Sequence, residues 1–160
     1  MNKKQNHCCQ GKCSRRKAVP PQIPSLNTKE KAILGDLKVY HYLPLCRFIM
    51  SKKDEGSVRF IALAPVYLQD KMEDMASIKA TAKALEALAD KKIITLDYDI
   101  ALKGYDYSYY ETSQVYNELQ AAVAAGSQKP GFLCDTAELE QGSIALTQYG
   151  QELLDYVETP

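Results

Sequence analysis

The sequence has no apolar run of the ~20 residues that a membrane-spanning helix needs, so a span of that kind is excluded. Its first residues, Met1-Asn2-Lys3-Lys4-Gln5-Asn6-His7-Cys8, are basic but lack an apolar segment behind them. No secretory leader is therefore expected, and a cytoplasmic location is the default. Histidine is scarce, with only His7 and His41. No P-loop, G-x-G-x-x-G, H-E-x-x-H or nucleophile-elbow pattern occurs. The carboxylates fall mostly on expected solvent faces or in loops, and His41 sits among apolar neighbours, so the chain is not expected to be an enzyme.

What is there is an ordinary globular composition, 46% hydrophobic and 25% charged over 160 residues, enough for one domain with a short extension. The formal charge is zero, yet the signs are unevenly spread. Residues 1–25 hold Lys3, Lys4, Lys12, Arg15, Arg16 and Lys17 without an acid, leaving 14 basic against 20 acidic groups beyond them. A basic tail on an acidic body suits contact with nucleic acid or another polyanion; it also suits a merely solvated leader.

The five cysteines divide in the same way. Cys8, Cys9 and Cys13 crowd beside His7 in the tail, where three thiols and an imidazole could complete a tetrahedral site for zinc or another thiophilic metal. Adjacent cysteines fit one closed site poorly, so an incidental flexible thiol tail competes with that reading. No other cofactor is expected. Cys46 and Cys134 lie singly in apolar stretches and read as small buried hydrophobes.

Residues 1–25 end in Pro20-Pro21-Gln22-Ile23-Pro24, a stiff spacer, and are read as a disordered tail. Residues 26–160 are read as one domain. Asn27 or Thr28 can cap a helix carrying Ile33, Leu34, Leu37 and Tyr40 on one face, with a short second piece at Leu45, Phe48 and Ile49. Val58–Leu63 suits a strand, and residues 66–72 a short helix. After a turn at 73–76, Ser77 would cap a strong helix carrying Ile78, Ala82, Leu85 and Leu88. The period then changes: residues 93–100 and 105–110 alternate and predict a hairpin. A helical insertion is expected near 113–126, then one or two short strands turning at Gln141-Gly142, and a last helix capped by Thr147.

Helix, tight turn, helix and hairpin is the order of a winged helix-turn-helix. The stretch from Tyr67 to Ile94, with Leu85-Glu86-Ala87-Leu88 and then Ile93-Ile94, resembles that superfamily, whose members commonly place glycine where this chain has Lys91-Lys92. The run Ile144-Ala145-Leu146-Thr147-Gln148-Tyr149-Gly150 resembles the strand, Leu-Thr-x-x-Gly and helix that close bacterial regulators of the multiple-antibiotic-resistance and phenolic-acid-repressor types. The resemblance implies a mainly α fold with a small β-hairpin and extra N- and C-terminal helices. It also implies a DNA-binding transcriptional regulator whose helix 77–90 enters the major groove.

On that helix Ser77, Lys79, Thr81 and Lys83 would meet base edges, while Arg15, Arg16 and Lys17 of the tail would hold phosphates. In such regulators the terminal helices build a homodimer on a palindromic site, and the seam candidates here are Ile33, Leu37, Tyr40, Leu153 and Val157. Charge supports a different class. The expected wing, 93–111, holds Lys103 against Asp97, Asp99, Asp106 and Glu111, which would repel a phosphate backbone. The alternative is a winged-helix protein-interaction module that docks a partner through its tyrosine-rich wing, Tyr98 and Tyr105–Tyr110.

Overall fold

The computed structural model describes residues 22–158. The tail residues named above as metal or phosphate ligands, His7, Cys8, Cys9, Cys13, Arg15, Arg16 and Lys17, lie outside the described residues. The chain runs α1 (Thr28–Tyr40), β1 (Tyr42–Lys52), β2 (Glu55–Val66), α2 (Met75–Asp90) and β3 (Ile94–Asp97). It continues with α3 (Ser108–Glu111), α4 (Gln114–Ser127), β4 (Thr136–Leu146) and α5 (Gln148–Glu158). About 42% of the described residues are helical and 28% are strand. The four strands form one antiparallel sheet in the order β2-β1-β4-β3. The mainly α winged helix-turn-helix with a small hairpin is thereby corrected to a mixed fold built on a four-stranded sheet.

Three local readings account for the difference. The first is the second helical piece at Leu45, Phe48 and Ile49, which is instead the middle of an 11-residue strand. Alternation is hidden there because β1 is buried on both faces. Leu43 and Leu45 pack under α1, α2 and α5, whereas Cys46 and Phe48 face Tyr110, Val115 and Tyr116. A strand covered on both sides loses its polar positions and reads like a buried helix.

The second is the helix expected at 66–72. Carboxylates capture its backbone: Asp70 accepts from the Met72 N–H at 2.7 Å, and Glu73 accepts from the N–H groups of Gln69 and Asp70 at 2.6 and 3.0 Å. Such side chain to backbone bonds offer an alternative to the helical ladder. No helix therefore lies between β2 and α2, and the helix-turn-helix is absent among the described residues. α2 itself begins earlier than expected, since Asp74 accepts from the Ser77 N–H at 2.7 Å and supplies the N-cap.

The third is the hairpin. β3 stops after four residues, where Asp97 accepts from the Asp99 N–H at 3.1 Å. The tyrosines from 105 onward enter a turn and the short helix α3, begun by Asp106 accepting from the Ser108 N–H at 3.0 Å. The partner of β3 is β4, with Ile94 opposite Leu146 and Asp97 opposite Ser143. β4 itself runs unbroken through Gln141-Gly142, where a turn was expected. Gly142 marks a close approach: a methyl there would overlap the Asp97 carbonyl oxygen.

The terminal helices stand where the periodicity places them. Asn27 and Glu30 form a reciprocal capping box at the start of α1. At α5 the Thr147 hydroxyl accepts from the Gly150 N–H at 2.9 Å and donates to the Lys92 carbonyl. Ile33, Leu37 and Leu153, offered above as dimer-seam residues, are buried in the chain's own core, while Tyr40 and Val157 are exposed.

Candidate functional site

A cleft of about 710 Å³ lies where α1, the start of β1, the segment after β2 and the 102–109 stretch converge. Its position follows from local chemistry. α1 ends at His41, whose φ of 65° turns the chain sharply into β1 and sets Tyr40 and Tyr42 on either side of the bend. Both rings are largely exposed, at 67% and 59%. Asp36, one helical turn before Tyr40, completes this wall.

The end of β2, beside the start of β1 at the open end of the hairpin, supplies the second wall. As β2 finishes, Tyr67 and Gln69 come alongside α1. The Tyr67 hydroxyl donates to Asp36 Oδ2 at 3.1 Å, and the Gln69 side-chain amide donates to the same oxygen at 3.0 Å. The carboxylate is thereby held in place by two groups some thirty residues away in sequence.

The third wall is the irregular stretch Leu102-Lys103-Gly104-Tyr105, in which Gly104 takes a φ of +80°. Tyrosine hydroxyls pin it. Tyr107 accepts from the Leu102 N–H at 2.8 Å and donates to the Gly142 carbonyl at 2.5 Å. Tyr109 donates to the Gln69 carbonyl at 3.1 Å, and its ring carries the Lys71 ammonium 5.0 Å from its centre. Beneath the cleft floor, Tyr110 accepts from the Leu68 N–H at 3.3 Å and donates to the Pro44 carbonyl. Burial raises the ionisation of Tyr67, Tyr105, Tyr107 and Tyr110 above the usual tyrosine value, and for Tyr67 the neighbouring Asp36 charge raises it further. These phenols stay protonated at neutral pH and act as donors.

The residues that the sequence offers for base reading are not all available. Lys79 and Lys83 are exposed on α2 and Ser77 is half-buried. Thr81 is buried at 7% exposure, and its hydroxyl donates to the Ser77 carbonyl. Lys83 shares a shallow groove with Lys29 at the start of α1. Cys46 is fully buried and its thiol is pushed up by burial, with Glu111 adding to the effect, so it is held as an inert thiol. Among the described residues, no group of three or more His, Cys, Asp or Glu could hold a metal ion, and no helix is long and apolar enough to cross a membrane.

Sequence reasoning set Tyr105 and Tyr109 on a wing and Tyr40 on the inward face of a helix, and it missed Tyr42, Asp36, Tyr67 and Gln69. The run Tyr105–Tyr110 was the signal it used. The meeting of these residues depends on a hairpin that returns residue 67 to residue 36, which no local pattern encodes.

No family model matches the chain, and no curated protein matches it. A solved structure of an uncharacterized protein from the hydrocarbon-degrading marine bacterium Alcanivorax borkumensis SK2 is similar to it. The identity is 14%, over 84% of this chain and 88% of that one, with a TM-score of 0.45. A likeness at that level assigns neither a family nor an activity.

Proposed function

We propose that the protein is a binding module for a small organic molecule, taken up without covalent chemistry in the tyrosine-lined cleft. One observation carries the reading: the Asp36 carboxylate is pre-positioned by Tyr67 and Gln69 on the wall of a cleft lined in part by tyrosines. The cleft's volume of about 710 Å³ falls within the range that small-molecule sites occupy, and a few convergent polar groups on an apolar lining is their usual build. A library of fragments tested by thermal denaturation of the full chain examines this, because a ligand that binds only the folded state raises the midpoint by mass action. Binders should lose about tenfold in affinity in the Tyr40→Ala/Tyr42→Ala double variant, whose rings are exposed and contribute little to the core. Binders that ignore that variant, or a library without binders, would overturn the reading.

A second reading, contact with double-stranded DNA through α2, is favoured by Lys79 and Lys83. They are exposed one turn apart, with Lys29 across a shallow groove and the basic leader of residues 1–21 ahead of it. On this reading the protein regulates transcription, as a dimer on a palindromic site. Lys79→Ala/Lys83→Ala should weaken binding and flatten its salt dependence, since each lost phosphate contact lowers the slope. Unchanged affinity in that variant would remove α2 from any such interface.

A further inference from the structure

We infer that the molecule the cleft takes is an organic ammonium carrying a single positive charge. This rests on the ligand-binding reading above and adds the chemical class of the ligand. The argument begins with which polar groups are already committed. The Tyr67 hydroxyl is given to Asp36, the Tyr109 hydroxyl to the Gln69 carbonyl, and the Gln69 amide to Asp36. These three donors of the wall are thus engaged within it.

The carboxylate they hold keeps open positions. A carboxylate has about four acceptor positions, and the hydrogen bonds from Tyr67 and Gln69 fall on one of the two Asp36 oxygens. Beside it stand the exposed rings of Tyr40 and Tyr42. An anionic acceptor in a cleft lined by tyrosine rings is a combination that attracts an ammonium, whose charge the carboxylate balances and whose alkyl groups the rings can receive. Tyrosine faces in this protein already hold cations. The Lys71 ammonium sits over Tyr109 in the cleft wall, and the Arg47 guanidinium sits 4.5 Å from the centre of the Tyr98 ring.

Lys103 sets the charge limit. It lines the cleft from the exposed Lys103-Gly104 turn. A second positive charge on the ligand would approach that ammonium, so a monocation is preferred to a dication.

Choline and its uncharged isostere 3,3-dimethylbutan-1-ol, titrated into the full chain and followed by NMR, test this directly. The two share a shape and differ in charge. Choline should bind about tenfold more tightly than the alcohol, and the perturbed signals should be those of Tyr40, Tyr42 and Asp36. Asp36→Asn keeps an oxygen for Tyr67 and Gln69, yet it should lower choline affinity about tenfold and leave the alcohol unchanged. Tyr42→Leu, at an exposed position, should lower choline affinity several-fold. Equal affinity for the two isosteres in the cleft would overturn the ammonium class while sustaining the ligand-binding reading. Absence of choline binding while other fragments occupy the cleft would do the same. Fragments that bind nowhere near these residues would remove both.

Discussion

Backbone geometry dictates the residue at two positions, and a third departs from it. Gly150, the glycine of the Leu-Thr-x-x-Gly run, lies where a methyl would overlap the Ile93 carbonyl oxygen. The same carbonyl accepts from the Thr147 N–H at 3.0 Å, so α5 is seated directly on the start of β3. Gly150→Ala should therefore cost about 1–3 kcal/mol, read as a lower denaturant midpoint, and an unchanged midpoint would contradict the close approach. Gly142 plays the matching part under Asp97. Lys92 shows the converse. It takes a φ of 60° where the Ile93 N–H reaches back to the Leu88 carbonyl at 3.0 Å, closing α2 in the manner usually given to glycine. A left-handed conformation costs an L-residue about 1–2 kcal/mol, part of which glycine returns as chain entropy. Lys92→Gly should stabilise the fold by up to about 1 kcal/mol, measured by chemical denaturation; a loss of stability would contradict this.

Among the elements, helices with one wet face were legible and the sheet was not. α1, α2, α4 and α5 show apolar spacing and capping residues that locate them within a few residues. β1 hides because both its faces are dry, and the strand across from β3 lies beyond two intervening helices. The cleft was legible only in Tyr105 and Tyr109, whereas Asp36 gains meaning only when β2 delivers Tyr67 and Gln69. The outer half of the sheet is tied by charge. Arg47 donates to Glu140 at 2.6 Å, and Arg59 bridges Glu138 and Glu140 at 3.0 and 2.9 Å.

Two carboxylates of this region titrate below their ordinary range. Glu138 is lowered by the Ser51 hydroxyl and then by Arg59, while Asp135 is lowered chiefly by the Lys53 N–H and then by the Thr136 hydroxyl. Because their folded values lie below the unfolded ones, they add stability above the usual carboxylate value of about 4. That stability is lost as pH falls through the folded values. The thermal midpoint should decline over that acid window, less steeply in Glu138→Gln/Asp135→Asn. An identical decline in the double variant would refute the assignment.

For the molecule as a whole, the sheet is a partition with a core on each face, and the cleft opens where the two meet at the start of β1. Tyrosine hydroxyls join the walls, so alkali acts on all of them together. Tyr67, Tyr105, Tyr107 and Tyr110 have folded values raised above the usual figure of about 10. Their contribution to stability is complete below that pH and falls away as pH rises through the folded values. Phenolate absorbance from these residues should emerge in one step with unfolding, and gradual ionisation of a folded chain would count against their burial. The most direct test of the ligand-binding cleft is NMR mapping of the tightest fragment on the isotope-labelled full chain. Contacts to Tyr40, Tyr42 and Tyr105, with signals from α2 unmoved, are the result expected. Contacts confined to α2, or scattered over the surface without saturation, would contradict it.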